Sequence, residues 1–176
     1  MKRSICIAFV CLVAPVAALA QDAAVNPLSA TARGVFDRNS RNLVAAAEAM
    51  PADKYAYSPT PEQMSFGKSI AHVAEVNNMA CALFSGSPAA TGAKLTAEDS
   101  KEKLVMGLKA SMDYCAKAYS TLTDAKLTET VPFFGRKATR LGVAMEVSND
   151  LIDHYAALAV YLRLNGLLPP TAQKKQ

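Results

Sequence analysis

Four stretches in which apolar residues recur every three or four positions, each stopped by proline, glycine or a run of small polar residues, constrain this 176-residue chain more than any other feature. The first runs from about Ser29 to Met50, with Ala32, Val35, Phe36, Leu43, Ala46 and Ala47 on one face, and stops at Pro51. Pro51, Pro59 and Pro61 then forbid a regular element. A second helix is predicted from about Phe66 to Phe84, with Ser65 as its cap and Ile70, Val73, Val76, Ala80 and Leu83 inward, ending at Ser85-Gly86. The stretch from Gly86 to Thr96 is small and polar. Asp99, with Glu102 three residues on, predicts a capping box for a third helix through Leu104, Leu108, Met112, Cys115 and Tyr119 to about Thr121. Thr123 to Gly135 reads as an irregular connection with a short extended piece at Val131 to Gly135. The fourth helix, roughly Arg136 to Asn165, is closed by Gly166 and by Pro169-Pro170. No alternating run is long enough for a sheet. Four helices with one apolar face each bury those faces together, so an all-α four-helix bundle is the expected fold.

Residues 1–20 read as a cleavable signal peptide. Lys2 and Arg3 precede an apolar run from Ile5 to Val16, and Ala18-Leu19-Ala20 offers small residues before a cleavage at Gln21. The run is well short of the roughly 20 residues that span a bilayer. Cys6 and Cys11 leave with it. Residues 21–170 then form the bundle domain and 171–176 a polar tail, in a periplasmic or secreted protein with no stable membrane span. The expected mature chain keeps 17 basic and 15 acidic residues, a net charge of +2. Its basic residues gather no further than the doublets Arg136-Lys137 and, in the tail, Lys174-Lys175, which make no basic stripe, so no nucleic-acid partner is expected.

The polar residues that interrupt the inward faces are where chemistry could sit. His72 falls between Ile70 and Val73, and His154 follows Asp150 by one turn; these are the chain's two histidines. An Asp and a His four residues apart project from one helix face, with Cβ atoms about 6 Å apart. They can supply two ligands to one divalent ion, leaving a third to a facing helix. Such spacing also arises by chance, and a lone helical histidine is more often a hydrogen-bonded or surface residue.

The segment from Asp153-His154-Tyr155 through Tyr161-Leu162-Arg163-Leu164-Asn165-Gly166 to Pro169-Pro170 resembles the C-terminal signature of the DinB/YfiT-like proteins. Ser69-Ile70-Ala71-His72-Val73-Ala74-Glu75 resembles their first-histidine segment, and the order of helices and loops fits nearly all of the mature chain. The resemblance implies a four-helix bundle whose divalent metal (zinc, nickel, iron or manganese) is held by one histidine of the second helix and two, spaced H-x-x-x-H, of the fourth. His72 and His154 match; Asp150 stands where the family has a histidine. Two histidines and one carboxylate suit iron(II) and are compatible with zinc. Relatives include metal-dependent thiol transferases and isomerases, and relatives with this bundle often pair, which makes a homodimer an expectation for this chain. Two function classes follow. One is an exported metal-dependent hydrolase or thiol transferase acting on a small molecule through His72, Asp150 and His154. The other is a non-catalytic bundle that binds a ligand or a protein and has lost its metal.

Other residues admit narrower expectations. Glu75 and Glu146, one turn from His72 and Asp150, are candidate bases or solvated surface groups. Asn77 and Asn78 either orient a water or face solvent. Tyr161 either packs in the bundle or reaches a ligand, and Phe133 and Phe134 are expected to plug one end of the core. Cys81 and Cys115 lie about fifteen and seventeen residues into their helices, at similar heights only if those helices run parallel. An antiparallel hairpin separates them. The long connection at Gly86 to Thr96 can reach back along the bundle, so both a disulfide and two buried thiols remain open.

Overall fold

The computed structural model describes residues 25–88, 90 and 94–173. The expected signal peptide with Cys6 and Cys11, and Lys174 and Lys175, lie outside them. Among the described residues four helices carry the fold: α1 (Pro27–Ala49), α2 (Phe66–Ser85), α3 (Lys101–Ser120) and α4 (Arg140–Leu164). Their ends are mostly local chemistry. Ser65 Oγ accepts from the Lys68 amide at 3.2 Å and starts α2. Gly166, at φ +76°, ends α4. There the Leu167 amide donates to Leu162 O at 2.9 Å and the Gly166 amide to Arg163 O at 3.0 Å, satisfying carbonyls the last turn would leave orphaned.

Two starts differ from expectation. Asp99 does not cap α3, because its carboxylate accepts from the Thr96 amide at 2.8 Å and closes a turn just before the helix. Ser100 caps it instead, accepting from the Lys103 amide at 3.3 Å. The last helix begins four residues late. Residues Arg136–Thr139 form a strand, β2, paired antiparallel with β1 (Thr130–Phe133), with Phe133 opposite Arg136. The two-residue turn between them, Phe134-Gly135, has positive φ at both positions, 45° and 75°, which matches the right-handed twist of a hairpin. Phenylalanine is not a residue that advertises such a turn. Thr139 then caps α4, its hydroxyl accepting from the Gly142 amide at 3.0 Å.

Contacts between helix ends give the directions. Ser29, in the first turn of α1, meets Asp124 just beyond α3, and the Lys101 ammonium at the start of α3 donates to Glu48 O and Met50 O, both at 2.8 Å, at the end of α1. These two helices are therefore antiparallel. Tyr161, near the end of α4, donates to Met64 O just before α2 at 3.1 Å, while Arg140 at the start of α4 donates to Phe84 O at the end of α2. They too are antiparallel. By contrast, a Cβ on Gly67 at the start of α2 would lie 3.3 Å from a methyl of Leu104 at the start of α3, and farther along Cys81 is joined to Cys115 by a disulfide, with Cα atoms 5.3 Å apart. The bundle thus runs up, down, down, up, and the chain between α2 and α3 returns the length of the bundle so that they lie parallel.

Phe36, Phe84 and Tyr119 meet where α2 and α3 end. Phe36 stacks on Tyr119 at 4.5 Å between centroids and Phe84 meets it edge-on at 5.1 Å. The Tyr119 hydroxyl, buried, donates to Ala144 O at 2.5 Å and lies 3.2 Å from Ser148 Oγ, so one ring ties α3 to α1, α2 and α4. Each large apolar side chain buried here contributes about 1.5–3 kcal/mol. Phe133 plugs the core at 6% exposure, but Phe134 does not: it is 63% exposed, because the hairpin turn points it outward. No helix among the described residues is long and apolar enough to cross a membrane.

Candidate metal centre

Helical register brings the polar residues of α2 and α4 inward. His72 sits between the fully buried Ile70 and Val73, and Asp150 and His154 flank the fully buried Leu151. Because α2 and α4 are antiparallel neighbours, the one histidine and the Asp/His pair meet in the interior of both. The imidazole centroids of His72 and His154 lie 5.0 Å apart, and His154 Nε2 lies 3.6 Å from Asp150 Oδ1. One donor atom from each of the three residues lies within 4.8 Å of the others. The Asp150 and His154 side chains are 25% and 18% exposed, so the cluster is half-buried rather than a solvated surface group.

Electrostatically the cluster is incomplete. Asp150 Oδ2 is buried and has no hydrogen-bond partner among the described residues, nor does either imidazole make a hydrogen bond there. A buried carboxylate oxygen left alone costs free energy and calls for an explanation. Burial pushes the Asp150 carboxyl above the ordinary carboxylate value, against the pull of His154 and His72. Burial also pushes the His154 imidazole below its ordinary value, against the Asp150 charge. Both shifts favour neutral groups, and a neutral imidazole is the form that donates a lone pair to a metal. A divalent cation among the three would repay the buried carboxylate. Two imidazoles and a carboxylate are a donor set such ions accept, so these residues can hold one.

The remaining candidates separate from this cluster. Glu75 is exposed and lines the groove between α2 and α3. Glu146 pairs with Arg136 at 3.4 Å. Asn77 is fully buried against α3, its amide nitrogen 3.3 Å from Ser111 Oγ and from Met112 Sδ, and so neither faces solvent nor reaches the triad. Tyr161 is committed to Met64 O and packs edge-on against Tyr57 at 5.9 Å. Sequence reasoning missed the surroundings of Asp150: a cavity of about 310 Å³ opens beside it, lined also by Val76, Asn149, Asp153 and the hairpin residues Phe133, Phe134 and Arg136. Those residues lie on three elements, and no spacing in the chain connects them.

The family model described as the DinB superfamily matches residues 36–158. Among solved structures the chain is similar to a DinB-like protein from Bacillus subtilis, with a TM-score of 0.66 and 21% identity over 82% of this chain and 99% of that one. It is also similar to a DinB-like protein from Bacillus cereus, with a TM-score of 0.63 and 16% identity over 88% and 95% of the two chains. A conserved protein from Enterococcus faecalis follows at 0.62 and 16%, over 76% and 94%. Among curated proteins none matches.

Proposed function

Because this chain belongs to the DinB superfamily, we propose that it is an exported, divalent-metal-dependent enzyme, a hydrolase or thiol transferase acting on a small molecule, with His72, Asp150 and His154 holding the ion. The observation that carries this reading is the convergence of three donor side chains, one of which, Asp150, has a buried oxygen with no hydrogen-bond partner among the described residues. When bound, such an ion supplies Lewis-acid activation of a water, a thiol or a carbonyl. The chain's own residues do the rest. Asp150 and His154, one turn apart, present their donors from one rigid helix, and His72 closes the set from α2. Leu151, Ile70 and Val73 wall off water behind the cluster, which lowers the local dielectric and strengthens every charge interaction in it. Asp150 in place of the family histidine adds a negative charge and so favours harder ions. The leader-like first 20 residues and a disulfide between Cys81 and Cys115 both support a location outside the cytoplasm, where such bridges persist.

Metal content measured by mass spectrometry on untagged protein, purified without chelator, tests this. Near-stoichiometric zinc, iron, nickel or manganese that is lost in Asp150→Ala and in His154→Ala is the expected result. A wild type that stays metal-free after reconstitution, with both variants equally stable, refutes it. One observation favours the second reading, a non-catalytic binding module: a groove of about 1,100 Å³ between α2 and α3, walled by Ala74, Leu83, Leu95, Met106 and Tyr114. It lies away from the triad, and an apolar ligand held there with no metal in the protein would support that reading.

A further inference from the structure

The hairpin places a bulky residue where its backbone is least comfortable. Phe134 holds φ at 45°, a region that side chains other than glycine, asparagine and aspartate rarely adopt. It gains little burial in return, being 63% exposed. Strain kept without a packing reward points to a task at that position. Phe134 lines the cavity that opens beside Asp150, its ring 4.5 Å from that of Phe133 and inclined to it at 66°. Val76 and Ala80 of α2 continue the apolar wall. At about 310 Å³ the cavity is at the small end of ligand sites.

Charge decides what kind of ligand fits. The one cation lining the cavity, Arg136, is engaged twice: its guanidinium lies over the Phe133 ring at 5.3 Å and pairs with Glu146 at 3.4 Å. Asp153 lines the same cavity, is exposed, and makes no hydrogen bond or ion pair among the described residues. Asn149 beside it is likewise without a hydrogen bond among them. Besides Asp150 of the triad, whose Oδ2 is unpartnered among the described residues, the free polar groups are thus one carboxylate and one amide, set against two aromatic rings. That combination attracts a cation and repels an anion.

We propose that this cavity is a substrate subsite next to the triad, and that it takes a small protonated amine bearing a flat apolar group, with Asp153 facing the ammonium and the exposed ring of Phe134 packing on the apolar part. The proposal rests on the triad being the working centre, and it names the substrate class that reaches it. Benzylamine, with benzoate as the anion of matched shape, is the probe, and ligand-observed NMR titration is the readout. Wild type binds benzylamine in preference to benzoate. Phe134→Ala and Asp153→Asn each weaken benzylamine by about 3- to 10-fold, whereas His72→Ala, which abolishes metal binding on the reading above, leaves it within about twofold. Loss of metal in His72→Ala with benzylamine binding retained separates the subsite from the metal centre. A protein without metal that still binds benzylamine through Phe134 and Asp153 overturns the metalloenzyme reading and not the subsite. Preference for benzoate, no binding of benzylamine at millimolar concentration, or equal affinity in wild type and both cavity variants overturns the subsite.

Discussion

Reducing the Cys81–Cys115 bridge should destabilise this protein by an amount that the chain separation sets. The two cysteines are 34 residues apart, on parallel helices, so the bridge closes a loop containing the end of α2, the returning connection and most of α3. In the chain-entropy treatment a loop of that size removes about 13 cal/mol/K from the unfolded ensemble, worth about 4 kcal/mol at 25 °C. For a chain of this length each kcal/mol moves the midpoint of thermal unfolding by about 2–4 °C, so reduction should lower it by roughly 8–16 °C. The assay is urea unfolding followed by circular dichroism, with and without a phosphine reductant, beside a Cys81→Ala/Cys115→Ala double variant. Both sulfurs are in fully buried residues, so the double variant loses packing as well and should fall below the reduced wild type. Reduction should also steepen the denaturant dependence, since an uncrosslinked chain exposes more surface. The reasoning is refuted if protein begun at Gln21, whose two cysteines are Cys81 and Cys115, carries two free thiols when denatured without reductant. It is equally refuted if a fully reduced protein unfolds at the same urea concentration as the oxidised one.

Three further outcomes follow from named contacts. Asp124 caps α1 from across the bundle, accepting from Ser29 N at 2.8 Å, Ser29 Oγ at 2.5 Å and Leu28 N at 3.1 Å. Burial raises its carboxyl, but those hydrogen bonds and Arg33 outweigh it and hold the group below the ordinary value. Its contribution is therefore present above the unfolded value of about 3.9 and lost as pH falls through the depressed folded one. The urea midpoints of wild type and Asp124→Ala should differ at neutral pH and converge under acid; a constant gap contradicts the cap. Tyr119→Phe removes the hydroxyl between Ala144 O and Ser148 Oγ and should cost about 1–2 kcal/mol in the same assay, with unchanged stability counting against that bond. Phe134→Asn should stabilise the fold by roughly 1 kcal/mol, because asparagine tolerates the left-handed turn. It should also weaken benzylamine, and a destabilised variant would mean that the ring is needed for packing.

The legible parts of this protein are those governed by neighbours in sequence. Helical periodicity fixed four apolar faces, and Ser65 and Gly166 mark helix ends because a cap is a bond made within a few residues. Asp150 and His154 share a face for the same reason, since four residues are nearly one turn. The late start of α4 escaped notice because the hairpin turns on Phe134, whose side chain carries no turn signal. The cap of α3 was misplaced by one residue because Asp99 had a nearer donor in Thr96.

Spacing along the chain specifies a set of helices and which face of each is apolar, together with the types of side chain available for a metal. The order in which those helices pack was decided only by tertiary structure. Whether α2 and α3 run parallel depends on the path of the connection between them, and that path decides whether Cys81 and Cys115 stand level. His72 meets Asp150 and His154 only because α2 crosses from the other direction beside α4. The cavity joining Asp150 to Phe134, Asn149 and Asp153 is a space between three elements. Periodicity describes one helix at a time, while a site is a distance between helices, and that distance is set by how all the buried faces pack at once.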